Sequence, residues 1–300
     1  MKTIYRIARF ELSTLFYSPI AWIVLIIFMA QSAMSFQDSV VTAGRYFDYG
    51  IELSQGNTWS IFSNPNWGFM SNVLGNTFFY IPLLTMGLIS RELHSGSIKL
   101  VLSSPVTAKQ LVFGKYLAMI VYCLIMTFCL LAIVVSGVFT TNSPDIGFMF
   151  SSIIGFFFLA ATYSAIGLFI SSLTSYQVVA AIGTLAVLGG LSYMGQVGQD
   201  VPVLKDVAHW LAITSRSSSM VGGLITTSSL FYYVIISGLF LGFTIIKITS
   251  GRMVAPLWIK SKNYVFLIAI AIGAAYLTSI PKLKIYSDTT RIQLHTLTDA

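Results

Sequence analysis

Hydrophobic and polar positions alternate along this chain in long blocks. A helix needs about 20 mostly apolar residues to cross the hydrocarbon core of a bilayer. Seven runs reach that length, at about residues 19–37, 71–90, 113–139, 146–170, 177–195, 230–248 and 263–281. None of them carries Lys, Arg, Asp or Glu well inside its apolar stretch. The pattern predicts an all-α polytopic membrane protein.

The segment that precedes the first run, residues 2–17, is amphipathic. Helical spacing places Lys2, Arg6, Arg9 and Ser13 on one face and Ile4, Ile7, Ala8 and Leu15 on the opposite face. A basic amphipathic helix suits the surface of an anionic cytoplasmic leaflet. A basic start before an apolar run is also typical of a signal peptide. We favour the surface helix, because the basic region is long for a signal peptide and six further spans follow.

Composition supports the membrane interpretation. Of the 300 residues, 56% are hydrophobic and 9% are charged, whereas soluble domains carry roughly 25% charged residues. The formal net charge of +7 could indicate nucleic-acid binding. Because the Lys and Arg residues are spread through the gaps between apolar runs, we expect no nucleic-acid partner and expect membrane lipids instead.

The distribution of Lys and Arg predicts the orientation in the membrane. With the N-terminus inside, eleven of these residues fall in cytoplasmic gaps and six in outer gaps. Only two acidic residues, Glu11 and Glu92, fall inside. By the positive-inside rule, we expect the N-terminus in the cytoplasm and residues 282–300 on the far side of the membrane.

Three outer segments carry features of their own. Residues 38–70 hold several aromatic side chains, which would form an interfacial belt or, as the alternative, a lid over a substrate. Residues 201–213 are predicted to form a short amphipathic surface helix, with His209 as an interfacial side chain. The small residues of 217–229 suit a re-entrant turn sheltered by protein. The aromatic residues of the first segment are Tyr46, Phe47, Tyr49, Trp59, Phe62 and Trp67.

Familiar catalytic and metal-binding patterns are missing from the sequence. Cys123 and Cys129 are six residues apart in one apolar run, so on a helix they point in nearly opposite directions and cannot pair. No cluster with metal-ligand spacing, no HExxH and no GxSxG occurs. Gly114-Lys115 is followed by Tyr116 and lacks the upstream glycine of a P-loop. We therefore predict that the chain is not an enzyme and holds no cofactor or metal. Energy for uphill transport would come from another polypeptide.

Residues 91–115 lie between two apolar runs, on the predicted cytoplasmic side. Ile98, Val101 and Leu102 follow helical spacing, Pro105 ends that helix or opens the next, and Thr107 is a candidate N-cap of the third span. Such a segment could dock a soluble motor protein beneath the bundle. It could equally be a solvated loop that satisfies the positive-inside rule.

The same stretch resembles the signature of ABC type 2 exporter permeases. The matching residues are Glu92, Gly96-Ser97, Ile98, Leu100-Val101-Leu102, Ser104-Pro105-Val106 and Gly114-Lys115. Ser97 stands where the family usually has Thr, and Lys99 stands where an acid is common. The resemblance implies an ATPase-coupling site formed by Arg91, Glu92, Gly96, Ser97, Ile98, Lys99, Leu102 and Pro105.

The resemblance also implies an architecture, partners and a location in the bacterial inner membrane, with the C-terminus in the periplasm. It implies a six-span permease core preceded by an amphipathic elbow helix, with a seventh span added. The core would work as a homo- or heterodimer, each half bound by an ABC ATPase subunit that holds ATP and Mg²⁺. The expected parts are the permease domain at 1–250, a cytoplasmic linker at 251–262, the seventh helix at 263–281 and the start of a periplasmic segment at 282–300.

Within this family, the sequence most resembles the gliding-motility-associated permeases. The seventh span and the residues after it are similar to the start of the auxiliary periplasmic subunit that often accompanies them, which predicts a permease fused to an auxiliary domain. A membrane scaffold that anchors an envelope or motility complex without transport is the alternative function. An intramembrane enzyme is disfavoured by the lack of any polar site. The sequence does not indicate the cargo.

Overall fold

The computed structural model describes residues 2–50, 57–140, 144–194, 213–252, 257–279 and 286–288. These residues are almost entirely helical. The helices are α1 (Lys2–Tyr17), α2 (Pro19–Asp48), α3 (Asn57–Ser63), α4 (Phe69–Thr85), α5 (Ser90–Ser95), α6 (Ile98–Ser103), α7 (Ala108–Thr140), α8 (Ile146–Ser171), α9 (Gln177–Tyr193), α10 (Ile213–Val221), α11 (Thr227–Arg252) and α12 (Leu257–Ser279). Two short strands, β1 (Leu224–Thr226) and β2 (Tyr286–Asp288), pair antiparallel.

The helices confirm the predicted all-α polytopic architecture. Five helices are long and apolar enough to cross a membrane, namely α2, α4 continued through α5, α7, α8 and α11. Helix α9 and the 262–274 part of α12 are apolar but shorter. Every predicted span has its helix. Several ends differ from the prediction, because α2 continues to Asp48 and α7 already begins at Ala108.

A capping box fixes the start of α7. The Thr107 hydroxyl accepts a hydrogen bond from the Gln110 amide at 3.2 Å, and the Gln110 side-chain carbonyl accepts one from the Thr107 amide at 3.0 Å. The two bonds satisfy backbone donors that have no partner within the helix. This arrangement confirms Thr107 as the N-cap, and it places Pro105 in the turn between α6 and α7.

Helix α8 lies at the centre of the bundle, where it packs against α4, α7, α9, α10 and α11. Small residues on α8 allow these close contacts. Ala160 and Ser164 are fully buried, and a Cβ at Gly167 would overlap the Thr85 side chain of α4. Packing within the bundle thus accounts for these small residues of α8. The cysteines of α7 are free, as predicted.

Helix α1 has the predicted amphipathic character and packs against α7. Ala8 is buried and Ile7 packs against the core, whereas Arg6 and Arg9 are exposed. Gly114 of α7 allows the approach, because a Cβ there would come within 2.6 Å of the Ile7 side chain. The first helix is therefore part of the bundle as well as a surface element.

The predicted outer segment 38–70 differs most from expectation. Residues up to Asp48 belong to α2. Phe62 is completely buried, with its ring 5.7 Å from that of Phe69. Assigning Phe62 to an interfacial belt was therefore wrong, because α3 folds back onto the bundle. Trp67 instead stacks on Tyr46 at 5.8 Å.

The small-residue segment at 217–229 is buried or half-buried for the most part, although Ser218 and Ser219 are exposed. It comprises the end of α10, a turn with Gly223 at φ +91°, β1 and the start of α11. The Val221 carbonyl accepts hydrogen bonds from the hydroxyls of Ser63 and Ser152. Residues 201–212, including His209, lie outside the described residues.

Candidate functional site

Helices α5 and α6, with the turns beside them, form a compact segment between α4 and α7 that contains the predicted coupling residues. Gly96 ends α5 in the left-handed conformation at φ +72°, a conformation that glycine adopts without the steric cost of a Cβ. Gly96 is therefore the C-cap that turns α5 into α6. We call residues 90–107 the coupling segment.

The predicted residues divide between exposed and buried positions. Lys99 and Pro105 are exposed, and Leu100, at 74%, is among the most exposed apolar residues of this end of the bundle. Ile98 is buried and joins the core. Ser97 is half-buried and its hydroxyl lies 2.8 Å from that of Ser95. The side chain of Leu102 lies outside the described part of the chain.

A buried ion cluster connects the coupling segment to two other helices. It consists of Glu11 on α1, Arg91 and Glu92 on α5, and Lys115 on α7. The Lys115 ammonium donates hydrogen bonds to Glu92 Oε1 at 2.7 Å and to Glu11 Oε1. Lys115 has no exposed side-chain area, and Glu11 and Glu92 are 4% and 18% exposed. Three separate elements therefore meet at one ammonium group.

The cluster is sensitive to the loss of its cation. Breaking a buried ion pair by removing one partner costs about 3–5 kcal/mol, because a charge is left buried without compensation. Here two carboxylates depend on Lys115. The other oxygen of each carboxylate, Oε2, has no hydrogen-bond partner among the described residues. The guanidinium of Arg91 is 3.9 Å from Glu11 Oε2 and 48% exposed, so it adds little.

Ser171, at the end of α8, ties the coupling segment to the centre of the bundle. Its hydroxyl accepts hydrogen bonds from the amides of Ile89 and Ser90, at 3.1 and 3.0 Å. The same hydroxyl donates to the Met86 carbonyl at 2.9 Å. These bonds satisfy the backbone of the turn between α4 and α5. Hydrogen bonds thus join α5 to α8 through Ser171, and to α1 and α7 through the ion cluster.

The predicted coupling site included Arg91 and Glu92 but not Glu11, Lys115 or Ser171, although Lys115 belongs to the family signature as part of Gly114-Lys115. Because it is charged, Lys115 was assigned to a cytoplasmic loop between two spans. In the structure its side chain is fully buried where α7 packs against its neighbours. One signal could have revealed it. An acid in the basic N-terminal helix and a lysine at the start of an apolar run form a complementary pair.

The comparison with known families agrees with this architecture. The family described as ABC-2 family transporter protein matches residues 5–278. No curated protein matches the chain. The match begins within α1 and reaches into the seventh predicted span. Proteins of this family are the membrane-spanning component of ABC transporters, and the family implies an ABC ATPase partner and a second permease chain. The chain therefore belongs to the ABC-2 transporter family and is a multi-pass membrane permease component of an ABC transporter.

Proposed function

We propose that this chain is the permease subunit of an ATP-driven exporter of the bacterial inner membrane. A separate ATPase subunit, which holds ATP and Mg²⁺, binds the coupling segment from the cytoplasm, and its hydrolysis cycle drives translocation through a pair of permease chains. The observation that carries the proposal is the buried ion cluster. It connects the coupling segment to α1 and α7 through a single ammonium group.

The mechanical argument follows from the contacts of α5. A partner that moves this helix acts on Lys115 through Glu92 and on α8 through Ser171. Because α8 packs against most of the other spans, the displacement reaches the interior of the bundle. The partner itself would contact the exposed part of the segment, which includes Leu100 and Lys99.

The predicted topology has the N-terminus in the cytoplasm, which puts the coupling segment on the side where ATP is available. In this topology, the start of α11 and the residues after α12 both lie on the side of the membrane opposite the cytoplasm. The pairing of β1, just before α11, with β2, after α12, supports placing these two segments on the same side. The relationship to gliding-motility permeases and the fused auxiliary domain stay predictions, and only 286–288 of the expected 282–300 segment is described.

Co-purification tests the proposal. The chain is solubilised in nanodiscs from its own cells, and accompanying proteins are identified by mass spectrometry. Leu100→Glu changes an exposed contact residue without disturbing the core. Leu173→Glu is the matched control, because Leu173 is exposed at 48% in the turn between α8 and α9 at the same end of the bundle.

We expect a stoichiometric P-loop ATPase with the unmodified chain and with Leu173→Glu, and its loss with Leu100→Glu. Retention of the ATPase by Leu100→Glu would contradict the assignment of the coupling segment. Recovery of envelope proteins alone, with no ATPase, would overturn the exporter and favour the scaffold.

A further inference from the structure

A cavity of about 510 Å³ lies in the half of the bundle opposite the coupling segment. Its walls come from α4, α8, α9 and α10, from Ser63 at the end of α3 and from Pro65 after it. Sites for small molecules typically measure about 300–1,000 Å³ and combine apolar walls with a few placed polar groups. The volume is therefore sufficient for a ligand.

Hydroxyl groups supply the polar part of the lining. The lining residues that carry a hydroxyl are Ser63 at the end of α3, Ser71 on α4, Tyr163 on α8, Ser192 and Tyr193 on α9, and Ser217 and Ser218 on α10. The remaining wall is largely apolar, with Phe78 and Phe79 in edge-to-face contact at 4.9 Å. A ligand would meet hydrogen-bonding groups and an apolar surface within the same cavity.

No acidic or basic residue lines the cavity among the described residues. Arg216 immediately precedes a lining serine, but its guanidinium lies 4.5 Å from the ring centre of Tyr232 and does not belong to the lining. Moving a charged group from water into such an environment is costly when no partner compensates it. The described part of the lining therefore favours an uncharged head group.

The polar floor of the cavity is ordered by hydrogen bonds within the protein. The Ser71 hydroxyl donates to the Ser63 carbonyl at 3.3 Å, and the Ser63 hydroxyl donates to the Val221 carbonyl. These bonds join α3, α4 and α10. Preorganised polar groups reduce the entropic cost of binding.

We propose that this cavity binds an uncharged amphiphile, a lipid-like molecule with a hydroxyl-bearing head group. Its head forms hydrogen bonds with the serine and tyrosine hydroxyls, and its apolar part packs against Phe78 and Phe79. That this ligand is the cargo rests on the proposed exporter function. Binding itself requires neither ATP nor the ATPase.

Gly75 gives a way to close the cavity without disturbing the fold. It lines the cavity, and a Cβ at this position would meet nothing within 4 Å. Gly75→Phe therefore places a ring in or beside the cavity space. Gly44→Phe is the matched control, because Gly44 lies in α2 away from the cavity and also has nothing within 4 Å.

Photolabelling of the chain in nanodiscs, without ATPase, tests the proposal. The probe is a monoacylglycerol with a diazirine in its acyl chain, and labelled peptides are mapped by mass spectrometry. Competitors of equal chain length are unlabelled monoacylglycerol, a lysophosphatidic acid and an alkyl trimethylammonium. Using competitors on the unmodified chain keeps the test valid even if Gly75→Phe fails to fold.

We expect labelling in α4, α9 and α10, with competition by the neutral compound only. Gly75→Phe should weaken probe binding by at least about tenfold, and Gly44→Phe should not change it. Equal competition by a charged compound, or labelling spread evenly over the lipid-facing helices, would overturn the proposal. If ATP releases the bound probe from the complex with the ATPase, the ligand is the cargo. If the complex never releases the probe, the cargo assignment is overturned and the binding proposal is not.

Discussion

Replacing Lys115 by Met removes one ammonium group and nearly preserves the length of the side chain. The unmodified ammonium is fully buried and bonds to Glu92 Oε1 at 2.7 Å and to Glu11. In the variant, two carboxylates share a site that no longer contains their common cation. Arg91 cannot replace it, because its guanidinium is 3.9 Å from Glu11 and is half exposed.

The expected loss in the free energy of unfolding is about 3–5 kcal/mol, the usual cost of breaking a buried ion pair from one side. Most of that cost arises from the carboxylates that remain, since replacing an entire buried ion pair by apolar residues of similar volume is often close to neutral. The triple variant Glu11→Met, Glu92→Met, Lys115→Met should therefore recover most of the stability. It should not recover coupling, because the shared ammonium that joins α5 to α1 and α7 is still missing.

Reversible unfolding in bicelles measures the stability of the single and triple variants. Hydrolysis of ATP by the ATPase complex in proteoliposomes measures coupling. An exposed ion pair contributes about 1 kcal/mol or less. If the free energy of unfolding of the single variant falls by no more than that, the claim that burial makes the cluster important for stability is refuted. A triple variant with normal coupled hydrolysis would refute the role of the cluster in transmission.

Three further variants test the elements that hold the coupling segment. Ser171→Ala leaves the amides at the start of α5 without their acceptor and should lower the free energy of unfolding by about 1–3 kcal/mol in the same assay. Coupled ATP hydrolysis should fall while the ATPase still co-purifies, and full activity would contradict the role of Ser171 in holding α5 to α8. Gly114→Leu should push α1 away from α7 and lower the melting temperature. Gly238→Leu is the control, because a Cβ there meets nothing within 4 Å. Equal melting temperatures for the two variants would argue against close packing of α1 on α7. Thr107→Val removes the capping box and should cost about 1 kcal/mol, seen as faster amide exchange in the first turn of α7; unchanged exchange would show that the cap is dispensable.

The spans and the helix start at Thr107 could be predicted because they depend on local features. An apolar run of sufficient length must be helical in lipid, where each backbone group needs an internal partner. A Thr followed three residues later by Gln is a local capping signal. The amphipathic faces of α1 follow in the same way from a helical period of 3.6 residues.

The candidate site was only partly predictable, because it depends on contacts between distant segments. Glu11 and Lys115 are far apart in the chain, and their pairing requires α1 to pack on α7 at Gly114. Counting loop charges treats Lys115 as a solvated residue, and nothing local shows that it is buried. Phe62 was misplaced for the same reason, since only the return of α3 onto the bundle covers its ring.

Direct contact between the coupling segment and an ATPase tests the central claim most directly. Benzoylphenylalanine is introduced at Leu100 and, as a control, at Phe139, which is 87% exposed at the opposite end of the bundle. After irradiation in membranes, we expect a cross-link between position 100 and a P-loop ATPase subunit, and none from position 139. No ATPase adduct at position 100, or equal adducts at both positions, would contradict the account.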